Sequence, residues 1–307
     1  MPTVLDPKIE QRAIAAYLGL ALGDALGATV EFMTPREIQE HYGVHRALIG
    51  GGWLRLPKGR VTDDTEMSLA LGHAILTHGG LDARAIAEAF SDWMRRKPVD
   101  IGHTVRRGLS LYRRTGVTAM PEHEFDAGNG ACMRCLPIAL YMLGATTDQL
   151  DRANQLQAHI THHNALSDRG TLTVLQLVHC GLRGGSREDL HACITALVAA
   201  EPRFAFDGRR QDNPGGYIVE TLRAVFQALL STTSFEAALI DVVNRGGDAD
   251  TTGAILGMIA GAFYGLDALP MRWLKALERE TAQHCQRQAV ALLALGAGRE
   301  QLGNIGL

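Results

Sequence analysis

The chain has 307 residues, of which 30 are Lys or Arg and 33 are Asp or Glu, giving a formal net charge of -3. With 46% hydrophobic and 21% charged residues it has a globular composition, not a disordered one. The near-neutral balance and the 6% aromatic content leave no electrostatic or stacking footprint for nucleic acid.

Apolar residues recur at helical spacing over 8–28, 64–78, 83–95, 101–113, 130–144, 148–160, 166–182, 188–200, 216–231, 235–244, 252–265 and 271–295. Ala and Leu dominate these segments, and both favour helix. No series of alternating β-branched strands is present, which argues against a doubly wound sheet. The stretches 42–61, 115–128 and 202–215 are rich in Gly, Pro, Asp and Arg and read as loops over a cleft. None is long or polar enough to be a linker. The expected fold class is therefore all-α, a single compact multi-helix domain over 1–307.

The apolar run from Ala13 to Gly23 could mimic the core of a signal peptide. Asp6 and Glu10 dilute its positive flank and Asp24 interrupts it, so it reads as a cytoplasmic helix. The longest uncharged apolar run, Thr251 to Leu266, falls short of the roughly 18 residues of a membrane span. Five cysteines, at 132, 135, 180, 193 and 285, do not make a secreted disulfide framework. Cys132 and Cys135 form a lone CxxC pair, read as buried helix cysteines because no second pair completes a zinc site.

Gly19, Gly23 and Gly27 are spaced by four, as are Gly253, Gly257, Gly261 and Gly265. Each set lies in a row on one helix face. Glycine inside a helix costs about 1 kcal/mol relative to alanine, and close backbone packing is the natural offset. The two helices are expected to cross in the core, bringing Asp24 and Glu31 towards the residues just before 252.

Two acidic clusters precede apolar helices: Val61-Thr62-Asp63-Asp64-Thr65-Glu66 and Gly246-Gly247-Asp248-Ala249-Asp250-Thr251-Thr252-Gly253. Asp63 with Glu66 matches a capping box, and Asp250 could cap its helix alone. Capping needs one carboxylate, however, and each cluster holds two. Convergence of four would be repulsive without a counter-charge. A divalent cation supplies one, and hard oxygen ligands favour Mg²⁺ or Mn²⁺ over zinc. Asp248-x-Asp250-x-Thr252 also matches the nucleophile motif of haloacid-dehalogenase-like phosphatases, but the apolar strand it needs is replaced by Asn244-Arg245-Gly246-Gly247. Asp63-Asp64 resembles the aspartate-rich motif of terpenoid synthases, but Met67 and Ser68 stand where a further acid is expected.

Taken together, the clusters resemble the ADP-ribosylglycohydrolase family. Gly23-Asp24-Ala25-Leu26-Gly27-Ala28 with Glu31, Thr62-Asp63-Asp64-Thr65, Asp100-Ile101-Gly102, Gly128-Asn129-Gly130-Ala131, Thr161-His162 and Gly246 to Gly253 occur in the family's order over nearly the whole chain. The resemblance implies an all-α fold with two divalent cations, Mn²⁺ or Mg²⁺, in a central cleft. It implies Thr62, Asp63, Asp64, Asp248, Asp250 and Thr251 as metal ligands. Glu31 would bind or gate the metals, and Asp100 would transfer protons at the ribose. Gly102, Asn129, Gly130, His162 and Tyr217 would contact ADP-ribose.

Taken singly, each of these residues has a plainer reading. His162 reads as a structural histidine, Asp100 as a helix cap, Gly128 to Gly130 as a turn and Tyr217 as a core aromatic. The His162-His163 pair leaves open which imidazole faces the site. Within the family the likeness is strongest to bacterial members that act on arginine-ADP-ribosylated dinitrogenase reductase. That implies this protein as substrate, with regulation by a P-II signalling protein and, through it, a membrane ammonium channel. The chain itself is expected to be a monomer. A hydrolase for another ADP-ribosyl linkage, a phosphoester hydrolase, and a non-catalytic ADP-ribose binder are the alternatives.

Overall fold

The computed structural model describes residues 6–301; the ends of the expected domain, 1–5 and 302–307, lie outside them. Fourteen helices follow in chain order: α1 (Pro7–Gly27), α2 (Pro35–Tyr42), α3 (Asp63–His78), α4 (Ala83–Arg95), α5 (His103–Thr115), α6 (Leu136–Tyr141), α7 (Thr147–Ala158), α8 (Ala165–Leu182), α9 (Arg187–Ala200), α10 (Ile218–Ser231), α11 (Phe235–Val243), α12 (Ala249–Tyr264), α13 (Met271–Leu274) and α14 (Arg279–Gln301). Among the described residues there is no strand; two isolated bridges, Gly51 with Leu56 and Gly128 with Tyr217, are the extended pairings. No helix of the described residues is long and apolar enough to cross a membrane.

The centre of the molecule is the α1–α12 crossing. A Cβ added to Gly19 would stand 2.2 Å from the Gly257 carbonyl oxygen, and one on Gly23 would stand 1.9 Å from that of Gly253. Added to Gly27 it would meet Ala249 O at 2.1 Å, and to Gly261, Ala15 O at 2.2 Å. No side chain fits at these points, so backbone packs on backbone and dispersion contacts offset the poor helix propensity. The expected crossing is present, with one correction. Gly265 does not belong to the seam; it is the C-cap of α12 at φ +82°, facing open space. Around the pair, α8, α10 and α11 pack on α12, while α14 spans α1, α3 and α6.

Three elements depart from the periodicity. Helix α2 was not anticipated, although Thr34-Pro35-Arg36-Glu37 signals it: Thr34 and Glu37 form a full capping box with Pro at the first helical position. The segment 130–144 is helical only over α6. Residues 130–134 form turns, and Pro137 favours a start at Leu136 because it cannot donate to the preceding turn. The expected helix 271–295 breaks into α13 and α14 because the connector docks elsewhere. There Gly59 lies against Ala276, Glu278 N donates to Gly59 O at 3.0 Å, and the Glu278 carboxylate pairs with Arg60.

Candidate active site

The seam sets the site's position, because Gly27 lies against Ala249 and so joins the end of α1 to the start of α12. Helix α3 is then tied to the same place by Asp24. Thr62, the N-cap of α3, makes no side-chain cap bond. Instead Asp24 reaches across from α1 and accepts Thr62 N at 3.0 and 3.1 Å, Thr65 N at 3.1 Å, Thr62 Oγ1 at 3.0 Å and Thr65 Oγ1 at 2.5 Å. Asp24 thus serves the exposed amides that a local cap would serve. Burial raises its carboxyl to about 6 despite these bonds. The capping-box reading of Asp63 and Glu66 fails: Glu66 pairs with Arg60 at 2.7 Å and accepts Trp93 Nε1 at 2.9 Å. Helix α12 likewise starts without a side-chain cap bond from Asp248. The paired acids are free for another use.

Glu31 arrives on the turn after α1. Its neighbour Phe32 sits at φ +63°, a left-handed conformation costly for a bulky residue. Two backbone bonds hold it there: Phe32 N donates to Gly247 O at 2.7 Å, and Gly247 N to Met33 O at 2.9 Å. The partner turn requires its glycines. Gly246 and Gly247 have φ near +70°, and a Cβ on either would lie 2.1 Å from Met33 O or Pro214 O. This clamp sets Glu31 beside Asp248 and Asp250, with one oxygen of each within 4.8 Å of the others.

Burial raises every acid here above its ordinary range, and like charges raise it further. Glu31 stands at about 8, with Asp248, Asp100 and Asp63 opposing its charge against the Trp53 hydrogen bond that favours it. Asp63 also stands at about 8, pushed by burial and then Asp100 and Asp24. Asp64 and Asp250 lie well above the carboxylate range, and Asp248 is raised. Among the described residues none of these five joins an ion pair. Buried acids without a cation are costly. Asp64 Oδ1 is buried with no hydrogen-bond partner, which leaves an acceptor lone pair unsatisfied. The donors are hard oxygens from carboxylates and two hydroxyls. Thr62 Oγ1 lies 3.3 Å from Asp64 Oδ2 and 3.4 Å from Asp250 Oδ2, and Thr251 Oγ1 lies 3.3 Å from Asp64 Oδ2. This set fits divalent cations.

A cleft of about 410 Å³ opens above the cluster, lined in part by Glu31, Asp63, Asp248, Asp250 and Thr251. Thr62 and Asp64 are buried behind them. Asp100 and Gly102 line one wall, and the Gly102 backbone N–H lies near Asp63 and favours its charged form. Asn129, Gly130 and His162 line another. The Asn129 amide is already engaged, donating to Asp248 Oδ2 at 2.6 Å and Thr221 Oγ1 at 3.0 Å. His162 faces the cleft between Gly128 and Gly130, where a Cβ would collide with its ring. His163 is turned away, bonded to Met120 O at 2.6 Å and stacked on His159 at 3.7 Å. Tyr217 is not brought into the cleft. Its backbone bridges Gly128, its ring is 39% exposed, and it lies near Arg203.

Of the expected loops, 202–215 supplies the wall Asn213 to Gly215, and 115–128 supplies Gly128. The stretch 42–61 contributes through Trp53, whose Nε1 donates to Glu31 Oε2 at 2.7 Å. Trp53, Phe32 and the capping role of Asp24 escaped the sequence reading. The run Gly50-Gly51-Gly52 before Trp53 was the available signal for a tight turn that presents it.

The helical fold and the chain's match to a family model together point to one class, the glycohydrolases. The chain belongs to the ADP-ribosylglycohydrolase family, which its residues 5–301 match. It is 48% identical over 289 residues to the ADP-ribosyl-[dinitrogen reductase] glycohydrolase of Rhodospirillum rubrum, covering 94% of this chain and 98% of that one. An ADP-ribosylarginine hydrolase of Pseudomonas putida is 30% identical, with 94% of this chain and 80% of the relative covered. A solved structure described as an ADP-ribosylglycohydrolase-related protein complex superimposes with a TM-score of 0.84 at 34% identity, covering 94% of this chain and 99% of that one.

Proposed function

We propose that the chain hydrolyses the N-glycosidic bond between C1 of a ribose and an arginine guanidinium on an ADP-ribosylated protein. One observation carries the reading: five acids without a cation partner converge at a cleft, in a chain similar to a glycohydrolase named for ADP-ribosyl-[dinitrogen reductase] and to hydrolases named for ADP-ribosylarginine. Dinitrogenase reductase is the proposed target, in keeping with the name of the Rhodospirillum relative. A P-II signalling protein and an ammonium channel reached through it rest on the family resemblance; a single domain over 1–307 rests on the absence of a linker in the sequence, and a monomeric chain completes the reading.

Glu31, Asp63, Asp64, Asp248, Asp250, Thr62 and Thr251 would hold two divalent cations, Mn²⁺ or Mg²⁺. Cations held by these residues would supply Lewis-acid chemistry, namely an anchor for sugar hydroxyls and a lowered pKa for water. The protein's own groups do the rest. Asp100, on the wall facing the cluster, transfers protons at the ribose. The carboxylates stabilise positive charge that develops at the sugar ring as the C1–N bond breaks. Asn129 fixes the orientation of Asp248 by its 2.6 Å bond.

Burial lowers His162 to about 3, so its imidazole is neutral. Arg134 Nη2 donates to Thr161 Oγ1 at 2.8 Å, and that hydroxyl lies 2.9 Å from His162 Nδ1. With the Thr161 proton given to Nδ1, Nε2–H is left as a donor beside Gly128 and Gly130. Gly102, Gly130 and His162 then position ADP-ribose, and Tyr217 stays outside the inner contact set.

The test is ADP-ribose release from a panel of arginine-linked, serine-linked and phosphoester substrates, with Mn²⁺ and with chelator. Release from the arginine linkage alone, lost with chelator, is expected. Release from another linkage alone, or release indifferent to chelator, would overturn the reading.

A further inference from the structure

The mouth of the cleft carries an apolar lip that turnover of a small ligand does not require. Among the described residues ten large hydrophobic side chains are exposed, and five of them, Phe32, Tyr42, Val44, Ile49 and Trp53, fall within residues 32–53. Phe32 is 63% exposed and Trp53 52%, with ring centroids 5.4 Å apart. Phe32 also lines the cleft, and Trp53 touches Glu31, so the lip is continuous with the candidate active site.

The lip is built rigidly. Gly51 and Leu56 exchange backbone bonds at 2.8 and 2.9 Å, and Thr29 Oγ1 donates to Gly50 O at 3.1 Å. Its charge runs against that of the chain. Residues 32–58 hold Arg36, Arg46, Arg55 and Lys58 against Glu37 and Glu40, four minus two or +2, within a chain of -3. Arg36 is spent on Glu40 and the charge of Arg46 acts on Glu236, while Arg55 and Lys58 form no ion pair among the described residues.

We propose that this lip, centred on Ile49, Trp53 and Arg55, docks the folded surface of the ADP-ribosylated target protein around its modified arginine. The occupant is an apolar patch bordered by acidic side chains. The inference rests on the proposed hydrolysis of a protein-linked substrate. A cleft of about 410 Å³ has the size of a small-ligand site, so the protein that bears the ligand must lie across its rim. Exposed Trp and Arg at such a rim are the residue types that carry binding energy at protein interfaces. The unpaired cations steer an acidic partner towards the cleft.

The experiment compares kcat/KM on an arginine-ADP-ribosylated acidic protein with kcat/KM on free ADP-ribosyl-arginine. The variant is Ile49→Ser with Arg55→Glu, neither of which lines the cleft. We expect a tenfold or greater fall on the protein substrate, carried by KM, and a change under twofold on the small one. Equal losses on both substrates, or no loss on either, would overturn the docking surface. A wild-type dimer that the double variant converts to a monomer would assign the lip to self-association and also overturn it. Wild-type protein that cleaves the small substrate with a kcat/KM as high as on the protein-linked one would remove the docking role alone. Wild-type protein that cleaves neither would remove the proposed function and this inference with it.

Discussion

Two groups of acids flank the first turn of α3 and behave oppositely. On one side Glu66 pairs with Arg60 and accepts from Trp93, and Arg60 also holds Glu278. Every acid there has a cation or donor, and the network does ordinary work, joining α3, α4 and the start of α14. On the other side Asp63 and Asp64 face Glu31, Asp248 and Asp250, and burial and mutual repulsion raise them all. A balanced cluster is what stability alone would produce. An unbalanced one is a local cost that the fold sustains through Asp24, the glycine seam and the Gly246–Gly247 clamp. Such a cost marks a place where function sets the residues.

The contrast is broken most sharply by Asp250→Asn. Activity should fall on the order of 10³-fold or more, since metal-ion stabilisation of a transition state is worth several kcal/mol. The metal-free variant should melt no lower than the metal-free parent, because burial already favours the neutral acid at Asp250 and the amide has its shape without the charge. A large loss of stability would place Asp250 with Glu66 as a structural acid. Asp100→Ala comes next. Its kcat should drop roughly 10²- to 10⁴-fold, as for a lost proton-transfer group, with ADP-ribose affinity kept within a few-fold by calorimetry. A wild-type rate would remove Asp100 from the chemistry.

Gly257→Ala probes the seam that supports the unbalanced side. Its new Cβ would meet Gly19 O at 2.0 Å, so urea unfolding should show a loss of about 1–3 kcal/mol, as for overpacked cores. No loss would mean that α1 and α12 can separate freely. pH sharpens the comparison further. Glu31 and Asp63 have folded values raised to about 8, far above unfolded carboxylates near 4. Between those values the metal-free native state holds more protons than the unfolded one, so these groups make stability fall as pH rises. The gap between metal-loaded and metal-free melting temperatures should therefore widen from pH 4 to 8 and then level off. A gap independent of pH would contradict the raised values. Smallest of all, Arg60→Ala on the balanced side should cost about 1 kcal/mol or less, as for partly exposed pairs, and leave the catalytic rate unchanged.

Much of this was legible in the sequence because it depends on spacing. Glycines four apart give the seam, and paired acids before apolar helices give the cluster. What escaped depends on contacts between distant segments. Asp24 sits in the last turn of α1 and gives no local sign that it will cap α3 from across the core. Asn129 reads as a turn residue until the fold sets its amide against Asp248. Tyr217 follows a glycine pair that could point its ring either way, and the bridge to Gly128 turns it outward. His162 and His163 are adjacent in sequence, and only the close approach of Gly128 and Gly130 to one ring tells them apart.

Everything above turns on the unbalanced acids being a cation site. Mn²⁺ titration by calorimetry at pH 7.5, on the wild-type protein and on Asp250→Asn, tests it most directly. Saturable binding of about two ions to the wild type is expected, from the four or five carboxylates available to balance their charge, with weakened or partial binding to the variant. Absence of binding to the wild type, or identical titrations for the two proteins, would contradict it.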